Sequence, residues 1–151
     1  MAKKKPGSNK RIVNRRAKFD YELGDSLVVG LQLTGAETKA LRLGHGTLRG
    51  AYVTVKDNEL WLINVQVTGT RGIQISDDAQ TRTRKLLAKR AEIDRLVAAK
   101  QQGNTIVPLE LLTGGRYIKL RIAVGRGKKT YDKRETIKRR QQEREITRQN
   151  R

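Results

Sequence analysis

The side chains able to do chemistry in this chain are cations. Thirty-four lysines and arginines face fifteen carboxylates over 151 residues, for a formal net charge of +19. Eight of them (Lys3, Lys4, Lys5, Lys10, Arg11, Arg15, Arg16 and Lys18) fall in residues 1–18 with no carboxylate among them. Eleven more fall in residues 125–151 against Asp132, Glu135, Glu143 and Glu145, so the body between the two arms is nearly balanced at +4. Cations gathered in this way neutralise phosphates and release their counterions, which makes a polyanion the expected partner.

Other chemistry lacks its reagents. The single histidine, His45, sits in a Gly-His-Gly turn and reads as a surface residue, and there is no cysteine. A metal ligand set or a nucleophile with its base needs several such groups together, so no catalytic residue, metal or cofactor is assigned and the chain is not read as an enzyme. Glu37, Asp57 and Glu59 are read as serving a helix cap and a turn. No apolar run reaches the roughly 18 residues that span a bilayer, and the basic N-terminus is not followed by a signal-peptide core, so a cytoplasmic protein is expected.

The elements that must carry these cations follow from periodicity. FDYELGDSLVVGLQL (19–33) reads as a strand interrupted near Gly24-Asp25. Thr34 and Glu37 have capping-box spacing, which predicts a helix over 35–43 ended by Gly44. Asp57-Asn58 separates two strand-like runs and predicts a tight hairpin. Asp77-Asp78 and Gly103 bound a predicted helix running to about Gln102, with Leu86, Ile93, Leu96 and Val97 on its buried stripe and Arg82, Arg84, Lys85, Lys89, Arg90 and Arg95 over the remainder. NTIVPLELL and RYIKLRIAV make a second hairpin. Two antiparallel hairpins with two helices fit a small mixed sheet or a partly open barrel. Trp61, between Leu60 and Leu62, is expected in the core.

The aromatic set is small: Phe19, Tyr21, Tyr52, Trp61, Tyr117 and Tyr131. Single-strand binders stack bases on several such rings, so a structured RNA met through shape and backbone is the better match. The tail has Asp132 as a predicted N-cap with Glu135 three residues on, but no apolar face. It should therefore be disordered when free and helical when phosphates neutralise it.

Three stretches together resemble one family, the SsrA-binding proteins (SmpB). LTGAETKALRLG resembles its L-x-G-x-E-V-K-S-L-R-x-G helix, TRTRKLLAKRAEID its R-x-R-K-L-L-L-x-x-x-E-I segment, and GRGKKTYDKRETIKRR its G-K-K-x-x-D-K-R tail entry; NRRA at 14–17 resembles the N-(K/R)-(K/R)-A before its first strand. The resemblance implies an OB-like antiparallel barrel of about six strands with two to three flanking helices. It divides the chain into a basic arm (1–11), an RNA-binding body (12–124) and a basic tail (125–151).

The resemblance further implies binding to the tRNA-like domain of transfer-messenger RNA. The complex would enter stalled ribosomes with elongation factor Tu for trans-translation, the protein acting as a monomer. Asn14, Arg15, Lys85, Leu87 and Lys119 match RNA-binding positions. Gly127, Lys128, Lys129, Tyr131, Asp132, Lys133 and Arg134 match the tail segment that meets the small-subunit decoding centre and lies as a helix in the empty mRNA channel. Val28 stands where the family usually has an acidic residue. The competing reading is a structural ribosomal protein that binds rRNA permanently.

Overall fold

The computed structural model describes residues 12–127 and 130–149. Six strands close into an antiparallel barrel: β2 (Tyr21–Leu31), β4 (Tyr52–Lys56), β5 (Glu59–Ile63), β7 (Arg84–Leu87), β8 (Thr105–Leu112) and β9 (Lys119–Gly127). They run β8-β4-β5-β7-β2-β9, and the pairing of β9 with β8 completes the ring. Short strands β1 (Ile12–Val13), on β8, and the pair β3 (Gly46–Thr47) with β6 (Gln66–Val67) lie beside it. The helices are α1 (Ala17–Asp20), α2 (Gly35–Arg42), α3 (Asp77–Gln80), α4 (Arg90–Gln101) and α5 (Thr130–Gln149).

Alternation along each strand fills the barrel. Val29 and Leu31, Leu60 and Leu62, Leu86, Ile106 and Leu111, Leu120 and Ile122 all point inward and are buried. Ile93 and Leu96 of α4 join this core. The Asp57-Asn58 hairpin has φ of 54° and 58° at its two central residues, the conformation whose twist matches its flanking strands. The predicted interruption in the first strand is a register shift between Leu23 and Ser26. A second shift, between Pro108 and Glu110, lies where a proline has no N–H for the ladder.

The long helix expected from residue 78 to 102 is not one helix. α3 stops at Gln80, Arg84–Leu87 is strand β7, and α4 starts at Arg90. The stripe through Leu86 and Ile93 suits a helix locally, but the barrel needs a sixth strand between β5 and β2 to satisfy their edges. β7 supplies it, pairing Trp61 with Lys85 and Leu62 with Arg84 on one side and Leu31 with Leu86 and Gly30 with Leu87 on the other. The inward position at Arg84 is charged, which hid the period of two.

The predicted capping box is present: the Thr34 hydroxyl accepts from the Glu37 amide at 3.2 Å and the Glu37 carboxylate accepts from the Thr34 amide at 3.1 Å. In the second hairpin β9 runs on to Gly127, three residues past the expected end of the body, and pairs Gly125, Arg126 and Gly127 with Leu23, Glu22 and Tyr21. α5 begins at Thr130, so Asp132 lies inside it and is not its N-cap. Its side chains from Ile137 to Thr147 are exposed, so no core holds that stretch of helix.

Candidate nucleic-acid interface

Strand register assembles the outer face. Gly30 pairs with Leu87 on β7 and with Lys119 on β9, so these two side chains flank a position that carries none. A Cβ on Gly30 would come within 3.1 Å of the Leu87 Cβ. The glycine therefore leaves a shallow floor between an apolar side chain 52% exposed and an exposed lysine. The neighbouring row on the same face runs Val28, Arg121, Glu110 and Val13. Glu110 is buried there and accepts from Arg121 at 2.9 Å. With strands about 4.8 Å apart, the two rows form one surface over β7, β2, β9, β8 and β1.

Lys85 lies on that face two residues from Leu87, and its Nζ is 3.0 Å from the Glu59 carboxylate. Its cross-strand neighbour is Trp61, which is half-buried on the outside of the barrel and not in the core as expected. The hairpin register decides this: Leu60 and Leu62 take the two inward positions, and Trp61 faces out with its indole N–H donating to the Lys56 carbonyl at 3.2 Å. Lys85 and Trp61 thus extend the surface toward β5.

Asn14 stands where β1 ends, and its backbone and side-chain N–H groups both donate to the β8 bulge. Its backbone N–H donates to the Leu109 carbonyl at 2.7 Å and its side-chain amide to the Pro108 carbonyl at 2.9 Å. Both carbonyls lie at the register shift of β8, and Asn14 satisfies them. The next residue, Arg15, is exposed, as are Arg16, Lys18 and Arg49 nearby. Lys85, Leu87 and Lys119 are therefore contiguous, and Asn14 and Arg15 lie at the far end of the same strip, beyond Glu110 and Val13.

The tail positions follow on from the end of β9. Gly127 is the last residue of β9 and belongs structurally to the barrel. Lys128 and Lys129 lie outside the described residues. Tyr131, Asp132, Lys133 and Arg134 fall in the first turns of α5, and the Arg134 side chain is exposed.

Sequence reasoning missed the group that holds the site's far side together. Arg84, expected on a helix exterior, is fully buried and makes five hydrogen bonds: to Glu37, to the carbonyls of Val65 and Arg82, and to those of Ala79 and Gln80. Arg82 also pairs with Glu37 while remaining partly exposed. Burial pushes the Glu37 carboxyl up, but hydrogen bonds from Arg82, from the Thr34 amide and from Arg84 outweigh it and hold the group below its ordinary range. Burial likewise draws the Arg84 guanidinium down against the pull of Glu37, and an arginine stays charged through such a shift. One carboxylate so ties α2 to the 65–84 segment and to the strand that carries Lys85 and Leu87. The capping-box spacing was the only signal of Glu37, because its two arginines lie 45 and 47 residues away.

His45 is exposed, as expected. Among the described residues no three histidines, cysteines or carboxylates are grouped to hold a metal, and no helix is long and apolar enough to cross a membrane. What the geometry defines is a small basic OB-like barrel with a cation-bearing outer face and a basic helical tail.

Comparison with known proteins narrows that class. The family model described as "SmpB protein" matches residues 11–151. An SsrA-binding protein of Synechococcus sp. (strain JA-3-3Ab) is 44% identical over 147 residues, covering 95% of each chain. One from Ligilactobacillus salivarius (strain UCC118) is 42% identical over 149 residues, covering 98% of this chain and 96% of its own. Among solved structures, a chain described as "tmRNA-SmpB: a journey to the center of the bacterial ribosome" superposes with a TM-score of 0.65 at 34% identity, over 80% of this chain and 85% of that one. The chain belongs to the SmpB family.

Proposed function

We propose that this protein binds the tRNA-like domain of transfer-messenger RNA and escorts it to stalled bacterial ribosomes for trans-translation. The observation that carries the reading is the outer face on which Leu87 and Lys119 flank the bare Gly30 position, in a chain of the SmpB family. An apolar side chain beside cations on a rigid sheet suits a folded RNA, whose sugar and base edges pack on leucine while its phosphates meet lysine and arginine. Arg15 would meet a neighbouring phosphate at the other end of the strip, with Asn14 positioning it.

The tail has a different task in this reading. Helix α5, with Arg134 and the exposed side chains from Ile137 to Thr147, would enter the empty mRNA channel, where rRNA phosphates line its path. Gly127, Lys128, Lys129, Tyr131, Asp132 and Lys133 would set its entry near the decoding centre. A helical stretch as exposed as Ile137 to Thr147 is marginal in water, so in this reading that stretch of the free tail would exchange between helix and disorder, and phosphate would favour the helix. The protein would act in the cytoplasm as a monomeric binding protein rather than an enzyme, with elongation factor Tu as the delivering partner.

Titration of the full-length protein with a transcript of the tRNA-like domain tests this. Saturable binding that weakens steeply with salt is expected. Equal affinity for an unrelated duplex of the same length would contradict it and favour a general rRNA binder.

A further inference from the structure

The turn between β8 and β9 carries an aromatic side chain that the fold holds in water. Tyr117 is 69% exposed, more than Leu87 at 52% or Tyr52 at 45%. It follows Gly114 and Gly115 in a turn that a flexible connection would leave loose, yet this one is fixed from three sides. Arg42, at the end of α2, donates to the Arg116 carbonyl at 2.8 Å and to the Thr113 carbonyl at 3.4 Å. Thr113 and Ile118, on either side of the tip, are buried. The Arg116 guanidinium stands 5.5 Å from the Tyr117 ring centroid, where its charge is drawn to the ring.

A large ring held rigid in solvent, with a cation beside it, loses little conformational freedom on meeting a flat partner. The partner's chemistry follows from its surroundings. Lys119 is exposed two residues further on, with Ile118 buried between, so a phosphate can sit within a residue or two of whatever lies on the ring. A flat group joined at short range to a phosphate is a nucleotide.

We propose that Tyr117, with Arg116 beside it, is a stacking platform for one unpaired base of the bound RNA, whose adjoining phosphate meets Lys119. The inference rests on the RNA-binding reading above and adds to it a contact with a looped-out base, beyond recognition of shape and backbone. Arg42 is the positioning residue of the platform: it touches no RNA and fixes the tip through two carbonyls.

The test is equilibrium binding of the tRNA-like transcript to the full-length protein and to Tyr117→Phe, Tyr117→Ala and Lys119→Ala over a range of salt. Tyr117→Phe keeps a stacking ring and should bind as the parent does. Tyr117→Ala should bind roughly tenfold more weakly, the loss expected for one base–aromatic stack, with an unchanged salt slope and an unchanged melting temperature, since the ring is exposed. Lys119→Ala should instead flatten the salt slope by about one phosphate contact. Undiminished binding by Tyr117→Ala alongside a parent that binds would overturn the platform and leave the functional reading intact, as would equal losses in the phenylalanine and alanine variants. A parent protein that does not bind the transcript would overturn both.

Discussion

Glu37 and Arg84 form an ion pair in which both side chains are withdrawn from water, 2% and 0% exposed respectively, across 47 residues of sequence. The same carboxylate caps α2 and takes Arg82. Strand β7, which bears Lys85 and Leu87 on its outer side, is thereby held to α2 from its inner side. The barrel's outer face depends on this contact without displaying it.

Removing one partner leaves the other charge buried and unpaired, which typically costs about 3–5 kcal/mol. Glu37→Ala should therefore lower the melting temperature by on the order of 10 °C, read by circular dichroism. Replacing both residues, as in Glu37→Gln with Arg84→Met, should recover part of the loss. A double variant less stable than the sum of the two single changes would refute the pairing.

The pH dependence has a defined sign. The folded-state carboxyl of Glu37 titrates below its ordinary value of 4.5. Its stabilising contribution is full above that value and is lost as pH falls through the lower, folded-state value. Acid unfolding followed from pH 6 downward should therefore be steeper in the parent than in Glu37→Gln, whose amide does not titrate. Identical acid limbs would show that other carboxylates govern the transition.

On the outer face, Leu87→Glu places a carboxylate beside Lys119 where phosphate is expected. It should weaken binding of the tRNA-like RNA by tenfold or more and leave the melting temperature within a few degrees, because the side chain is already half exposed. Gly30→Val crowds the Leu87 side chain and should weaken binding in the same direction. Normal binding by both variants would move the interface off this face.

The tail is separable from the barrel after Gly127, not after residue 124, because Gly125, Arg126 and Gly127 are paired with β2. A chain ending at Gly127 should keep its affinity for the RNA within a few-fold and lose peptide tagging on stalled ribosomes. A parallel loss of both would remove the division of labour between barrel and tail.

Local chemistry was legible in the sequence where its partners lie close by. Thr34 and Glu37 are three residues apart, Asp57 and Asn58 are adjacent, and both features formed as their spacing requires. The family resemblance likewise rests on contiguous motifs, and the comparisons bear it out. What escaped depends on pairing over long distances. Arg84–Leu87 has a helical spacing to Ile93 that only closure of the barrel overrides. Trp61 could face either way until the register of β4 with β5 gave Leu60 and Leu62 the interior. Glu37 showed its cap but not its arginines. The juxtaposition of Leu87 and Lys119 exists only through Gly30, which pairs with both.

If one tRNA-like RNA is the protein's main ligand, the tagged full-length protein recovered from its host cells carries that RNA, and sequencing the co-purified RNA identifies it. One abundant species with a tRNA-like domain is expected, depleted when Leu87→Glu is used as bait. Recovery of rRNA alone, equally with parent and variant, would contradict it and identify a ribosome-bound structural protein.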